Sequence, residues 1–427
     1  MGFTGVRKLK TKPKGDIVTT LDVGSSKVVC LIARIDGQGT ASVVGIGHQI
    51  SLGVRAGAIV DMEAAETAIR HAVASAEEMS GESIREVTVN LAGGAPASQI
   101  VYSEVPVVGG EITDADLRRA LKAHNSAVIP ADFQTIHAIP VSYTIDGSNG
   151  IRDPRGMYGE HLGMDIHLVT AKATAVRNLA TCINRGHLDI DAFVVSPYAA
   201  GLACMVEDER ELGSAVIDLG GGSTSIGVFF EGRLVFADCI PVGGHHITKD
   251  IARGLTTPIQ EAERVKTLHG TAMAGIGDDR ETIDVPQVGE DDPGHMIQVT
   301  RSILTGIIQP RVEEIFELVR SRLEASGFDK IAGRRVVLTG GGSQLTGVRD
   351  LAQQVLDKQV RLGRPQGLFG LTEQSNGPAF ATAAGLLTYA LRHQGELMLT
   401  SAEMDPEPEE KPAGLMSRIG GWFKENL

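Results

Sequence analysis

Two short acidic turns hold the most legible chemistry of this chain: Asp22-Val-Gly-Ser-Ser-Lys27 and Asp218-Leu-Gly-Gly-Gly-Ser-Thr224. Glycine and serine in such a turn let consecutive backbone amides face one anion, because no bulky side chain blocks the approach. Gly24, Ser25, Ser26 and Lys27 would form one wall of a phosphate site, and Gly220, Gly221, Gly222, Ser223 and Thr224 the other. An aspartate heading each turn suits Mg2+, which keeps much of its water and is held by a few carboxylates plus substrate phosphates. Asp22 and Asp218 are therefore the candidate metal-side residues, acting through water. Either turn alone reads equally well as an ordinary tight turn; the pair reads as a clamp closing on a polyphosphate.

The elements around the turns repeat too. Apolar strand text at 17–21 and 215–217 leads into the turns, and strand text at 28–33 with 41–46, and at 225–230 with 233–237, follows them. Both copies predict strand, turn, strand, turn, strand, a duplication at domain scale. A third turn, Gly340-Gly341-Gly342-Ser343, leaves a strand at 336–338 and enters a helix, offering backbone to a nucleoside.

Elsewhere, periodicity predicts helices at 63–79, from Thr113 to about 124, and at 175–186, 198–206, 247–269 and 379–392, with a long helix at 296–325 interrupted or restarted near Pro310. Strands are expected at 86–91, 134–144, 166–170 and 191–196, and loops at 146–162 and 270–297. The expected organisation is a basic tail at 1–15, a first lobe at 16–83 and 166–205 closed by the helix at 379–392, and an inserted α/β subdomain at 84–165. A second lobe at 206–245 and 331–378 carries a further subdomain at 246–330, and a Glu/Pro-rich linker at 393–413 leads to a terminal helix at 414–427.

Composition sets outer limits. A chain of 427 residues at 42% hydrophobic predicts two domains or more. Its net charge of −13 argues against nucleic acid as a partner, since phosphate backbones are held by clustered Lys and Arg. Cys30, Cys182, Cys204 and Cys239 are scattered without metal-site spacing and read as reduced buried thiols. The chain shows neither a secretory signal nor a spanning apolar run, so a cytoplasmic protein is expected. The tail with Arg7, Lys8, Lys10, Lys12 and Lys14 is either a solvated terminus or a weak attraction to anionic lipid.

The terminal segment follows a helical wheel. At about 100° per residue, Leu415, Met416, Ile419, Trp422, Phe423 and Leu427 fall within an arc of about 140°, with Ser417, Arg418, Lys424 and Glu425 outside it. Trp422, the one tryptophan of the chain, belongs to the residue type that prefers a membrane interface. Half-burying this face would gain a few kcal/mol, so one copy binds lipid reversibly and a row of linked copies firmly. The alternative is a helix docked on the protein's own body.

The three turns in this order resemble the actin-like ATPase superfamily, whose fold places two duplicated α/β lobes around a nucleotide cleft. The resemblance implies Mg-ATP and assigns Glu263 and Lys266, within Glu261-Ala-Glu-Arg-Val-Lys266, to the ribose and adenine; the same pair also reads as a solvated i,i+3 helix pair. Within the superfamily the chain is most similar to the FtsA family of bacterial cell-division proteins. The match is carried by Asp22-Val-Gly-Ser-Ser-Lys27, by the insertion with His137-Ala-Ile-Pro-Val-Ser-Tyr143 and Arg152-Asp-Pro-Arg-Gly-Met157, by Ile308-Gln-Pro-Arg-Val-Glu-Glu-Ile315, and by the terminal helix.

That resemblance implies subdomains 1A, 1C, 2A and 2B, polymerisation of the chain with itself, other divisome proteins as partners, and attachment to anionic lipids on the cytoplasmic face of the inner membrane at the division site. It also implies capture of the C-terminal peptide of FtsZ, with Arg311 and Glu314 at that contact unless they are plain solvated charges. In relatives a Gln or Glu orients the attacking water; the matching position here is Ser196, which cannot serve as a comparable base, so at most slow hydrolysis is expected. A small-molecule kinase or exopolyphosphatase of the same fold is the alternative, although no base with a surrounding motif stands out and such an enzyme has no use for a lipid-seeking tail. A chaperone-like binding module would need a substrate domain after the core, and the residues beyond Arg392 are too few for one.

Overall fold

The computed structural model describes residues 17–36, 41–123, 129–289 and 296–392. The basic tail, the linker at 393–413 and the terminal helix with Leu415, Met416, Ile419, Trp422, Phe423 and Leu427 lie outside the described residues.

The first turn sits in a five-stranded sheet. Strands β1 (Ile17–Val23), β2 (Lys27–Ile35) and β3 (Ala41–Ile50) form an antiparallel meander, followed by a hairpin of β4 (Val54–Arg55) and β5 (Ala58–Ile59). Helix α1 (Met62–Ser80) buries Ala65, Ala68, Ile69, Ala72, Val73 and Ala76 at helical spacing. The Asp61 carboxylate caps its start by accepting from the Ala64 amide at 3.1 Å, and Gly81 closes it in the left-handed conformation. Strand β6 (Glu86–Leu91) then pairs parallel with β1.

An inserted sheet follows, built from β7 (Ala97–Pro106), β8 (Phe133–Ile145), β9 (Ser148–Ile151) and β10 (His161–Lys172), in the order β7-β10-β8-β9 and covered by α2 (Asp114–Lys122). It has its own core around Leu117, Leu121, Leu162, Met164, Ile166 and Leu168. The chain returns through α3 (Ala173–Arg185) to β11 (Asp189–Val195), parallel to β6. It then crosses to the second lobe by α4 (Ser196–Cys204) and α5 (Glu207–Leu212).

The second lobe repeats the first. Strands β12 (Ser214–Leu219), β13 (Thr224–Phe230) and β14 (Arg233–Ile240) make the same antiparallel meander. Helices α6 (Gly244–Gly254) and α7 (Ile259–His269), the hairpin β15 (Thr282–Pro286) and β16 (Met296–Thr300), and helix α8 (Arg301–Ser326) form the excursion. After it come β17 (Arg335–Thr339), α9 (Val348–Leu356), β18 (Gln359–Leu362) and α10 (Ala381–Arg392). The sheet orders, β11-β6-β1-β2-β3 and β18-β17-β12-β13-β14, are the same plan used twice.

Several elements differ from the sequence expectation. The expected helix at 247–269 is two helices, because Pro258 keeps the preceding Thr257 out of helical geometry and Thr256 turns left-handed at φ 50°. The expected loop at 270–297 contains β15 and the start of β16, whose exposed polar alternation hides the strand period. The long helix begins at Arg301 and runs unbroken through Pro310, which leaves one backbone hydrogen bond of that turn unmade. The expected loop at 146–162 holds β9 and the start of β10. The expected strand at 166–170 is the middle of β10, paired with β7 and β8 and not with the first sheet.

Two helices, α4 and α10, cross at the joint between the lobes. A Cβ on Gly385 would lie 1.8 Å from the Ala199 carbonyl oxygen, so only glycine lets the backbones approach this closely. Tyr198 centres an aromatic cluster there, with Tyr389 at 5.7 Å, Phe229 at 6.0 Å and His137 of the inserted sheet at 5.4 Å. The inserted sheet also grips β14: buried His167 donates from Nδ1 to the Leu234 carbonyl at 2.8 Å, and the Ala237 amide donates to Ser98 Oγ at 2.8 Å. Burial pushes the His167 pKa down to about 4, so the ring is neutral near pH 7.

Gly385→Ala is expected to lower stability by about 1–3 kcal/mol through overpacking. Gly306→Ala, where a Cβ meets nothing within 4 Å, should be neutral or stabilising by up to about 1 kcal/mol. Urea denaturation should show a lower midpoint for Gly385→Ala and an unchanged or higher one for Gly306→Ala.

Candidate functional site

Both aspartates stand one residue before the end of their strands, Asp22 in β1 and Asp218 in β12, each beside the parallel partner of its sheet. The carboxyl ends of parallel-paired strands in α/β folds are where ligands bind. Asp22 is buried, and withdrawal from water pushes its carboxyl up to about 7; Lys27 opposes this and Asp218 adds to it. Burial likewise raises Asp218, against the pull of the Thr382 hydroxyl, which donates to its Oδ2 at 2.8 Å, and of Lys27. The Lys27 ammonium lies 3.5 Å from the centre of the Phe380 ring, and burial lowers its pKa while the two aspartates hold it up. The Lys27 charge is therefore near enough to act on both carboxylates, without a direct ion pair to either among the described residues.

The third turn closes on Asp218. Gly340 has φ 86°, and a Cβ there would lie 2.2 Å from Asp218 Oδ1. Ser343 donates from its hydroxyl to the Gly340 carbonyl at 2.7 Å, which pins the short 3-10 turn of Gly341–Gln344. All three glycine turns thus converge on the carboxylate pair.

The turns carry donors to spare. In the first, the Gly24 amide donates to the Lys27 carbonyl at 3.0 Å, and Ser25 Oγ accepts from the Gly57 amide at 3.0 Å. In the second, the Gly220 amide donates to the Ser223 carbonyl at 3.0 Å, and the amides of Gly244 and His245 donate back to the Gly220 and Gly221 carbonyls at 2.9 and 2.7 Å. The amides of Ser25, Ser26, Gly221 and Gly222 donate to no group among the described residues. Gly222 is buried, and a buried unpaired amide is costly unless an acceptor arrives. These donors fit phosphate oxygens, and two carboxylates fit a hard cation that keeps its own water.

Glu263 and Lys266 lie beside the second turn. Lys266 Nζ is 2.7 Å from Glu263 Oε2 and donates to Thr248 Oγ1 at 2.8 Å and to the Gly244 carbonyl at 3.3 Å. Burial works against the Glu263 charge, but the adjacent ammonium prevails and holds the carboxyl below its usual range. Ser196 starts α4 fully buried; its hydroxyl accepts from Asn90 Nδ2 at 3.3 Å, while Asn90 Oδ1 accepts from the Val23 amide at 2.7 Å. That hydroxyl is tied to the first turn's strand.

Arg311 and Glu314 lie on α8, facing α6. The Arg311 guanidinium grips both oxygens of Asp250 on α6, at 2.6 and 3.3 Å, and also pairs with Glu314, whose side chain is half exposed. A surface depression of about 510 Å3 lined by Gln49, Leu52, Asp61, Glu63, Thr67 and His71 includes none of the turn residues.

Several site residues escape sequence reading. His245 bonds through Nε2 to Ser26 Oγ at 3.0 Å, joining second turn to first; Thr382, Thr248 and Phe380 contact the charged groups, and Asn90 ties the Val23 amide to the Ser196 hydroxyl. His245 follows directly on Gly243-Gly244, and that placement after a glycine pair was the available signal. Thr382 and Asn90 carry no local signal at all.

The family model for cell division protein FtsA matches residues 215–385, and that for the SHS2 domain inserted in FtsA matches residues 93–170. The chain is 44% identical over 436 residues to the cell division protein FtsA of Agrobacterium fabrum, covering 100% of this chain and 98% of that protein. Among solved structures it is similar to the PilM-PilN type IV pilus biogenesis complex, with a TM-score of 0.62 at 18% identity over 88% of this chain and 98% of that one. It also resembles MreB5 of Spiroplasma citri bound to ADP, with a TM-score of 0.52 at 14% identity over 87% of this chain and 95% of that one. The lobes therefore have the actin-like ATPase fold, with an SHS2 insertion.

A raised carboxyl pKa binds protons in the folded state that the unfolded state has already released. Stability from Asp22 is thus full below about pH 4 and is lost as pH rises towards about 7. Asp22→Asn should raise the melting temperature of protein without added nucleotide at pH 8, by an effect on the order of 3 kcal/mol, and leave it nearly unchanged at pH 4. Melting curves across that range check the sign.

Proposed function

The chain belongs to the FtsA family of cell division proteins, and on that premise we propose that it is an ATP-binding tether that assembles with itself and holds FtsZ filaments on the cytoplasmic face of the membrane. The observation that carries the ATP reading is the convergence of Asp22, Asp218 and Lys27 with unpaired turn amides between two like lobes.

In this reading Gly24, Ser25, Ser26 and Lys27 hold the phosphates from one side, and Gly220, Gly221, Gly222, Ser223 and Thr224 from the other. Glu263 and Lys266 face the ribose and adenine, and the backbone of Gly340, Gly341, Gly342 and Ser343 backs the nucleoside. Mg2+ beside Asp22 and Asp218 would neutralise phosphate charge when bound. The two carboxylates draw it by the same burial that makes them costly as isolated anions. Ser196, whose hydroxyl accepts from Asn90, cannot act as a base comparable to a Gln or Glu, so turnover is slow and ATP acts chiefly as a ligand that fixes the lobes.

The membrane part rests on the amphipathic face of Leu415, Met416, Ile419, Trp422, Phe423 and Leu427, with anionic lipid attracting Arg418 and Lys424. No helix among the described residues is long and apolar enough to cross a membrane. The FtsZ C-terminal peptide would dock on the part holding residues 246–330. There Glu314 offers an exposed charge, and Arg311 acts from within its pair with Asp250.

Asp218→Ala should remove ATP binding altogether, measured by isothermal titration, while circular dichroism stays that of the parent protein; retained affinity ends the clamp reading. Trp422→Glu should release the protein from anionic vesicles in cosedimentation with ATP present, and an unchanged pellet removes the lipid anchor.

A further inference from the structure

The two phosphate turns touch. Ser26 Oγ of the first lies 3.0 Å from His245 Nε2 at the start of α6, and a Cβ added to Gly221 would sit 1.9 Å from the same oxygen. Among the described residues, no other side-chain to side-chain hydrogen bond joins the first turn to the second lobe. His245 is anchored at its backbone, where its amide donates to the Gly221 carbonyl at 2.7 Å, so the ring is what reaches across. A phosphate group cannot stand between contacts this close, so a polyphosphate held by both turns has to part Ser26 from His245.

We propose that this hydrogen bond is an interlobe latch that a nucleoside polyphosphate displaces, with His245 Nε2–H exchanging the Ser26 hydroxyl for a phosphate oxygen. The proposal rests on the ATP-clamp reading above and adds to it the residue that couples ligand entry to lobe separation. One neutral tautomer serves both states, because a proton on Nε2 donates first to the serine oxygen and then to the phosphate, and no proton need be taken up. Burial favours that neutral ring, against the attraction of Glu263 and with the repulsion of Lys266, Lys249 and His246. The exchange replaces a neutral acceptor by an anionic one, which makes the stronger hydrogen bond. Ser26 and His245 therefore have opposite effects on the ligand: one hydroxyl competes with it for a donor that the other residue supplies.

The test is ATP binding by stopped-flow and equilibrium titration on the full chain. Ser26→Ala should bind ATP several-fold faster, His245→Ala about tenfold more weakly, and His245→Gln, which keeps an N–H, should recover part of the loss. In melts without added nucleotide, the double variant should fall no further than either single one, because both remove the same bond. Losses that add, equal weakening by both single variants, or His245→Ala binding like the parent would each overturn the latch. If the parent binds ATP and Asp218→Ala does not, a failure at His245 falls on this proposal alone. If the parent binds no ATP, the clamp reading fails first and the exchange fails with it.

Discussion

Two buried carboxylates with one ammonium near them set the terms for this molecule. Asp22 and Asp218 come from strands in different lobes, both withdrawn from water, and Lys27 is the cation acting on both. Burial makes the charged pair expensive unless further positive charge arrives, and the folded chain accepts that cost. Gly340 packed against one carboxylate and the Thr382 hydroxyl bonded to it show how closely the surroundings are shaped around that charge. A cluster so arranged has a physical use for a divalent cation and an anion together.

The duplicated sheet plan explains how two such groups come to face each other. Each lobe presents the end of a central strand, with an antiparallel meander on one side and parallel strands on the other. The crossing of α4 and α10 at Gly385 and Ala199 fixes the lobes at their base, where aromatic rings from both lobes and from the inserted sheet pack together. Strand β14 is gripped by the inserted sheet through His167 and Ser98, and it runs on to Gly243, whose backbone lies against the second turn. The SHS2 insertion is thus mechanically joined to the lobe that carries the second glycine turn.

Much of the architecture was legible because it is local. The acidic glycine turns, the apolar strand text around them, and the start of α2 at Thr113 follow from periodicity and turn chemistry at short range. Where local signals misled, a longer-range contact had decided. Pro310 sits inside a continuous helix because tertiary packing of Ile308, Val312 and Ile315 outweighs a broken hydrogen bond, and β15 and β16 pair although their exposed faces read as loop. Strand β10 binds the inserted sheet because its partners are β7 and β8, a pairing that no pattern within 161–172 can encode.

The sequence by itself determined which residue types could meet an anion and a cation, that the unit occurs twice, and that a third glycine turn follows. These are properties of short segments and their repetition. Only the tertiary structure decided that Thr382 would hold Asp218, that Asn90 would tie Ser196 to the first turn, and that His245 would reach Ser26. Those partners lie from 67 to 219 positions apart, and their meeting depends on strand order and on the angle between lobes, which arise from packing the whole chain.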